Sequence, residues 1–153
     1  MILPITLTIA GAAALLNLWL ALRIGQVRGS SKILLGDGGN PALIARMRAQ
    51  ANFVEYTPLF LILLGLIELV VGSETWLWGV AIVFILGRIA HAFGMDRPLP
   101  DRLRLRMIGT GVTMLVLFGL AVYAILLPYL HREPARITYA SGPPATSGGA
   151  KLS

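Results

Sequence analysis

Two long stretches of this chain contain no charged residue. They cover residues 1–22 and 107–130 of a 153-residue sequence. The hydrocarbon core of a bilayer requires about 20 predominantly apolar residues of α-helix, so each stretch is long enough to cross a membrane. The pattern predicts an integral membrane protein of the all-α class.

Two further apolar segments, 56–67 and 75–87, are too short to cross a bilayer by themselves. Their helices can span only if they continue through polar residues, at 48–55 before the first segment and at 88–91 after the second. Polar groups at membrane depth usually face a protein interior or a water-filled cavity. We therefore expect the functional site in these two polar stretches.

Composition excludes several classes of protein. Charged residues make up 13% of the chain and hydrophobic residues 56%, whereas a soluble domain has about 25% charged residues. This argues against a disordered chain, a soluble enzyme and a nucleic-acid-binding domain. There is no cysteine, and the two histidines, His91 and His131, are far apart, so neither a disulfide framework nor a metal site is predicted.

The breakers between the apolar segments divide residues 1–130 into four predicted helices, at about 4–27, 41–71, 75–95 and 101–130. Asn40 and Pro41 are typical of a helix start, and Pro58 should kink the second helix or remove one backbone hydrogen bond. The first helix lacks a basic leader and is too long for a cleaved signal peptide, so a retained anchor is expected. Residues 131–153 are rich in Pro, Gly and Ser and are predicted to be a disordered tail.

Charge asymmetry predicts the orientation. Residues 23–55 and 88–106 each contain five basic and two acidic residues, whereas the connection between the second and third helices contains only Glu68 and Glu74. The positive-inside rule places the two basic connections in the cytoplasm and both termini outside. Arg28, Lys32 and Arg97 are explained by topology alone.

The second helix carries a polar stripe. Arg48, Asn52 and Glu55 are spaced i, i+4 and i+7 and share one helix face, with Tyr56 beside them. An arginine–glutamate pair that satisfies itself is the structural alternative. Gln50 lies about 200° from Arg48, on the opposite face. A membrane helix that is polar on both faces needs protein or ligand on both, which favours a central position in an oligomer.

The third and fourth helices add basic residues near the same membrane level. One face of the third helix carries Arg88, His91 and Met95. On the fourth helix Arg102 and Arg106 share a face, while Arg104 points away. A basic cluster favours an anionic ligand, ideally a carboxylate held bidentately by arginine. Glu55 adds an acceptor for an ammonium group, so a small peptide such as glutathione fits better than a nucleotide, for which no glycine-rich loop opens a helix.

The segment Arg48-Ala-Gln-Ala-Asn-Phe-Val-Glu-Tyr-Thr-Pro58 resembles the Arg-Ala-x-x-Asn-x-x-Glu motif of the MAPEG family, the membrane-associated proteins in eicosanoid and glutathione metabolism. Its form is closest to that of the leukotriene-C synthases. Arg88-Ile-Ala-His91, followed by Pro98-Leu-Pro100 and Gly111-Val-Thr113, is similar to the microsomal glutathione transferases. The resemblance covers about residues 5–130.

This resemblance implies a four-helix subunit, a homotrimer and glutathione bound as co-substrate between neighbouring subunits. The implied glutathione-binding residues are Arg48, Asn52, Glu55, Tyr56, Arg88 and His91. Gln50 and Arg23 would reach the ligand of an adjacent subunit. The family's catalytic arginine, at the start of the fourth helix, matches Arg102 when Gly111-Val-Thr113 is aligned and Arg104 when the Leu-Arg-Leu pattern is aligned; we prefer Arg102, with Arg106 in reserve.

The expected activity is glutathione transfer to hydrophobic electrophiles, or reduction of lipid peroxides, with an arginine stabilising the thiolate. A thiol with a pKa of about 8.5 is mostly protonated at neutral pH, and a nearby guanidinium favours the thiolate. The leukotriene-C synthases have tyrosines where this chain has His91 and Met95. The alternative is therefore a lipid- or glutathione-binding membrane protein without turnover. A transporter has little support, since no internal repeat is present.

Overall fold

The computed structural model describes residues 2–96 and 101–130, except for the side chains of Asp101 and Arg102. It contains four helices: α1 (Pro4–Ser31), α2 (Pro41–Val71), α3 (Thr75–Asp96) and α4 (Asp101–Leu130). Each contains a window that is long and apolar enough to cross a membrane. The predicted all-α, four-helix membrane fold is confirmed. The predicted tail at 131–153 lies outside the described residues.

Local sequence signals explain the helix ends. Asn40 caps α2, because its side-chain oxygen accepts hydrogen bonds from the backbone N–H groups of Ala42 and Leu43. The helix then continues through Pro58 and ends before Gly72. α1 ends at Ser31, one turn beyond the predicted end, because Lys32 adopts a left-handed conformation and its N–H bonds the carbonyls of the last turn.

Apolar side chains are divided between an interior and a lipid-facing surface. One core cluster joins all four helices and includes Phe60 and Phe84, whose rings stack with centroids 3.7 Å apart. A second cluster, nearer the polar stretches, combines alanines such as Ala49 and Ala92 with larger residues such as Phe53. Large apolar side chains such as Leu115, which is 72% exposed, point outwards, as expected for a protein whose surroundings are lipid.

Glycines bring α3 and α4 into backbone contact. A Cβ atom added at Gly109 would lie 2.5 Å from the carbonyl oxygen of Gly87 and 2.7 Å from the backbone nitrogen of His91. Small residues at helix crossings allow this close approach. The crossing fixes the register of the two helices and places the polar end of α3 directly against α4.

Gly109→Ala should therefore destabilise the protein. The added methyl group meets backbone atoms that cannot rotate away, so α3 and α4 must separate and His91 must move. Gly119→Ala, on the same helix but with nothing within 4 Å of the added carbon, is the matched control. We expect thermal unfolding in detergent to occur several degrees lower for G109A and at or above the wild-type temperature for G119A. Equal midpoints would contradict the tight crossing.

Candidate functional site

An open cavity of about 640 Å³ lies among α2, α3 and α4. Among the residues that the structure describes, those that line it are Arg48, Ala51, Asn52, Glu55, His91, Met95, Arg106, Met107, Thr110 and Gly111. The structure thus gathers residues from the two polar stretches, on α2 and α3, and from the beginning of α4. The side chains of Arg48, Glu55 and Arg106 are exposed, so both signs of charge are available to a bound molecule.

Arg88 lies behind this cavity, buried with 2% of its surface exposed. One terminal nitrogen donates to Asn52 Oδ1 at 2.7 Å and the other to Thr113 Oγ1 at 3.2 Å. The Thr113 hydroxyl in turn donates to the carbonyl of Gly109 at 2.8 Å. Arg88 therefore orients Asn52 toward the cavity and joins α2, α3 and α4, and it is not among the cavity-lining residues.

Two aromatic rings enclose the same guanidinium. The Arg88 carbon Cζ lies 5.8 Å from the ring centre of Phe53 and 5.9 Å from that of Tyr56, within the range of cation–π attraction. No carboxylate lies within ion-pair distance of Arg88 among the described residues. Tyr56, predicted as a binding residue, thus packs beside Arg88 and contributes to the wall behind the cavity.

His91 lines the cavity from α3 and is held by α4. Its Nδ1 lies 3.1 Å from the hydroxyl oxygen of Thr110, and the residue is 5% exposed. Sequence reasoning missed Thr110, although it follows Arg106 by four residues and so shares its helix face. The hydroxyl can donate to the ring or accept from it, depending on which ring nitrogen carries the proton.

Gln50 points to the other side of α2. Its side-chain amide nitrogen lies 3.4 Å from Asn17 Oδ1 on α1, which agrees with its position on the opposite helix face from Arg48. Within one subunit Gln50 is therefore separated from the cavity. Its predicted contact with the ligand of an adjacent subunit stays a prediction.

Arg23 also lies outside the cavity and is 7% exposed. Its guanidinium forms an ion pair with Asp96 at the end of α3 and lies 4.3 Å from the centre of the Trp19 ring. Arg46 donates to the carbonyl of Arg23 at 2.7 Å, and its Nε lies 3.6 Å from Asp96 Oδ1. This cluster ties α1, α2 and α3 together at one end, and sequence reasoning missed the role of Asp96.

The three arginines at the start of α4 have different positions. Arg106 lines the cavity. Arg104 is exposed and is not among the lining residues. The side chain of Arg102, the preferred catalytic candidate, lies outside the described residues, so its role stays a prediction.

The MAPEG family model matches residues 6–126 of this chain. The chain belongs to the MAPEG family. It is also similar to the inner membrane protein YecN of Escherichia coli K12 and to YecN of Escherichia coli O6:H1 strain CFT073, with 32% identity over 88 residues in each case. These alignments cover 57% of this chain and 66% of each relative, just under two thirds of the relatives' length. Every residue lining the cavity falls within the MAPEG match.

Proposed function

We propose that this MAPEG protein binds glutathione in the cavity among α2, α3 and α4 and uses its thiol against hydrophobic electrophiles that enter from the bilayer. The observation that carries the proposal is that two arginines, Arg48 and Arg106, and one carboxylate, Glu55, line the same open cavity. Glutathione has two carboxylates, one ammonium group and one thiol, and so needs acceptors and donors in the same site.

The spacing along α2 suits the two charged ends of the ligand. Arg48 and Glu55 are seven residues apart, which corresponds to about 10 Å along the helix. Arg48 offers a planar guanidinium that can hold a carboxylate bidentately, and Glu55 offers a carboxylate for the ammonium group. Asn52 lies between them and is held by Arg88 at 2.7 Å, so its amide is already oriented.

The chemical step follows from the position of Arg106, which lines the cavity from α4. A guanidinium beside the sulfur favours the thiolate, and the proton leaves to solvent. The sulfur forms a bond to the electrophilic carbon while the bond from that carbon to its leaving group breaks with its electron pair. With a peroxide, the thiolate attacks one oxygen, the O–O bond breaks, and the alkoxide takes a proton from solvent and leaves as an alcohol. The thiol of a second glutathione then displaces water from the resulting sulfenic acid and forms the disulfide.

A homotrimer with sites between subunits is part of the proposal. The cavity is open on one side in the single chain, and the exposed Glu55 and Arg48 border that opening. Gln50 lies away from it, against Asn17 of α1, and so does Arg23, which is on α1 and pairs with Asp96. The bacterial inner membrane is the proposed location, since YecN is an inner membrane protein and all four helices can span.

Calorimetric titration of the detergent-solubilised protein with glutathione tests the proposal. We expect saturable binding, and about tenfold weaker affinity for Glu55→Gln, because one charge-assisted hydrogen bond to the ammonium group is lost. Glu74→Gln is the matched control, since Glu74 is exposed in the connection between α2 and α3. Native mass spectrometry of the same samples gives the subunit number and the number of bound glutathione molecules together.

Absence of binding to the wild-type protein would contradict the proposal, as would equal affinity losses in E55Q and E74Q. One observation favours the second candidate, a lipid- or glutathione-binding protein without turnover. Met95 lines the cavity and cannot donate a hydrogen bond as a tyrosine would. Glutathione binding without conjugation or peroxide reduction across a range of apolar electrophiles would favour this second candidate.

A further inference from the structure

The connection between α1 and α2 exposes two adjacent leucines. Leu34 and Leu35 are 92% and 90% exposed, the highest values among the large apolar side chains that the structure describes. They do not belong to the lipid-facing surface of a helix, because both lie after the end of α1 at Ser31. Two neighbouring leucines left in water are unfavourable, so they need an apolar surface to contact.

The length of α1 places this connection near the membrane surface. The helix has 28 residues and is about 42 Å long, whereas the hydrocarbon core of a bilayer is about 30 Å thick. The last turns of α1 therefore emerge into the headgroup region. Side chains that follow them lie where phospholipid phosphates and the first acyl carbons are found.

A small basic cleft adjoins the leucines. It has a volume of about 400 Å³ and is lined by Arg28, Gly29, Lys32, Ile33 and Leu34. Among the described residues, the Arg28 side chain makes two long contacts with neutral acceptors, the carbonyl of Ile33 at 3.5 Å and the sulfur of Met47 at 3.6 Å. Within residues 2–96 and 103–130, neither Arg28 nor Lys32 has a carboxylate within ion-pair distance. Both cations are thus available to an anion.

The backbone gives the connection a defined shape. Gly38 has a φ of 57°, and a Cβ atom there would lie 2.9 Å from the end of the Ile33 side chain, so Ile33 packs directly on this glycine. The Asn40 side chain donates to the Ser31 hydroxyl at 3.0 Å and closes the loop. The loop therefore presents Leu34 next to the cleft in a fixed arrangement.

We propose that this connection binds an anionic phospholipid, with the phosphate held by Arg28 and Lys32 and the acyl chains against Leu34 and Leu35. Basic residues at a helix C-terminus also complement the helix dipole and set topology. Those roles account for the charges and leave the two exposed leucines unexplained. Anionic phospholipid matches the cleft in charge and the leucines in polarity, which neither a soluble anion nor a zwitterionic lipid does. The inference is independent of glutathione binding.

Native mass spectrometry in detergent, with phosphatidylglycerol or phosphatidylcholine added, tests the charge component. We expect phosphatidylglycerol to bind more tightly. In the double variant Arg28→Gln/Lys32→Gln its affinity should fall about 25-fold, from about fivefold for each basic residue at a membrane surface. Arg28→Lys/Lys32→Arg preserves both charges and should retain most of the affinity. Equal affinity for the two lipids, or no loss in the glutamine variant, would overturn the proposal.

Because the chain has no cysteine, Leu34→Cys gives a single labelling site that tests the apolar component. A fluorophore at this position, in vesicles containing phosphatidylglycerol, should be quenched more by nitroxide on lipid acyl chains than by aqueous iodide. Ser30→Cys, on the last turn of α1, is the reference and should show the opposite preference. Two outcomes overturn the proposal: quenching that changes with protein concentration, which indicates a second copy covering the leucines, and displacement of the lipid by glycerol phosphate, which indicates a site for soluble phosphates.

Discussion

Arg106→Gln should reduce the rate of glutathione conjugation by about 10²–10³-fold, the usual cost of losing one preorganised group that stabilises developing negative charge. The cause is the loss of the guanidinium that lines the cavity from α4. Without it the bound thiol remains protonated, while Arg48 and Glu55 still hold the ends of the ligand. Affinity for glutathione should therefore change much less than the rate.

Turnover and the ultraviolet absorbance of the bound thiolate together separate this catalytic role of Arg106 from a structural one. The thiolate has its own ultraviolet absorbance, which should fall in Arg106→Gln with glutathione bound and largely persist in Arg106→Lys, where the positive charge is kept. Arg102→Gln in the same assay tests the assignment that family resemblance favours. If only R102Q loses turnover and thiolate, Arg106 does not stabilise the sulfur and the alignment through Gly111-Val-Thr113 is supported. If the thiolate absorbance is unchanged in both variants, neither arginine stabilises the thiolate.

The architecture was predictable because bilayer thickness imposes strong rules on a sequence. Charge-free runs and breakers such as Asn40-Pro41 define four helices, and helical periodicity puts Arg48, Asn52 and Glu55 on one face. The structure shows these residues lining one cavity with His91 and Arg106. That convergence required only that the polar ends of three spanning helices meet at one membrane level, since charged groups in lipid collect in the interior.

Which of these polar residues line the cavity and which are buried behind it was not predictable in the same way. Periodicity assigns a residue to a helix face, whereas the distance between helices depends on contacts such as that of Gly109 with Gly87. This close crossing buries Arg88 and leaves it bonded to Asn52 and Thr113. A single sequence gives no indication that α3 and α4 touch at these glycines. In the sequence, Arg88 and Arg48 therefore look alike, as arginines in the polar stretch of a membrane helix. In the fold, Arg48 lines the cavity and Arg88 is buried behind it.

Acidic residues were the other gap in the sequence reasoning. In the sequence, Glu68 and Asp96 bear only on the charge asymmetry that predicts the topology. Asp96 holds Arg23, and Glu68 holds the beginning of α1, although its partners Ile5 and Thr6 are more than 60 residues away in the chain. Contacts at such separations leave no periodic signal. The sequence indicates only that Glu68 and Asp96 need partners, because an unpartnered carboxylate near a membrane is unfavourable.

Glu68 connects the end of α2 to the beginning of α1 and is 1% exposed. One carboxylate oxygen accepts from the backbone N–H of Ile5 at 3.0 Å and the hydroxyl of Ser73 at 2.7 Å. The other accepts from the backbone N–H of Thr6 at 2.8 Å and its hydroxyl at 2.7 Å. The first N–H groups of a helix have no partner within the helix, and a negative charge there is also favoured by the helix dipole.

Glu68→Gln should therefore destabilise the protein by about 2–4 kcal/mol, in spite of the nearly identical shape of the two side chains. Hydroxyl groups can rotate and accept from an amide, but a backbone N–H cannot. Whichever way the glutamine amide turns, its NH₂ faces the N–H of either Ile5 or Thr6. Thermal unfolding in detergent should shift downward by roughly 10 °C. Glu74→Gln removes an exposed charge six residues later and should leave the midpoint unchanged. If both variants unfold at the wild-type temperature, the carboxylate is not what secures the beginning of α1, and packing of Ile5 in the core cluster with Phe60 and Leu64 must suffice.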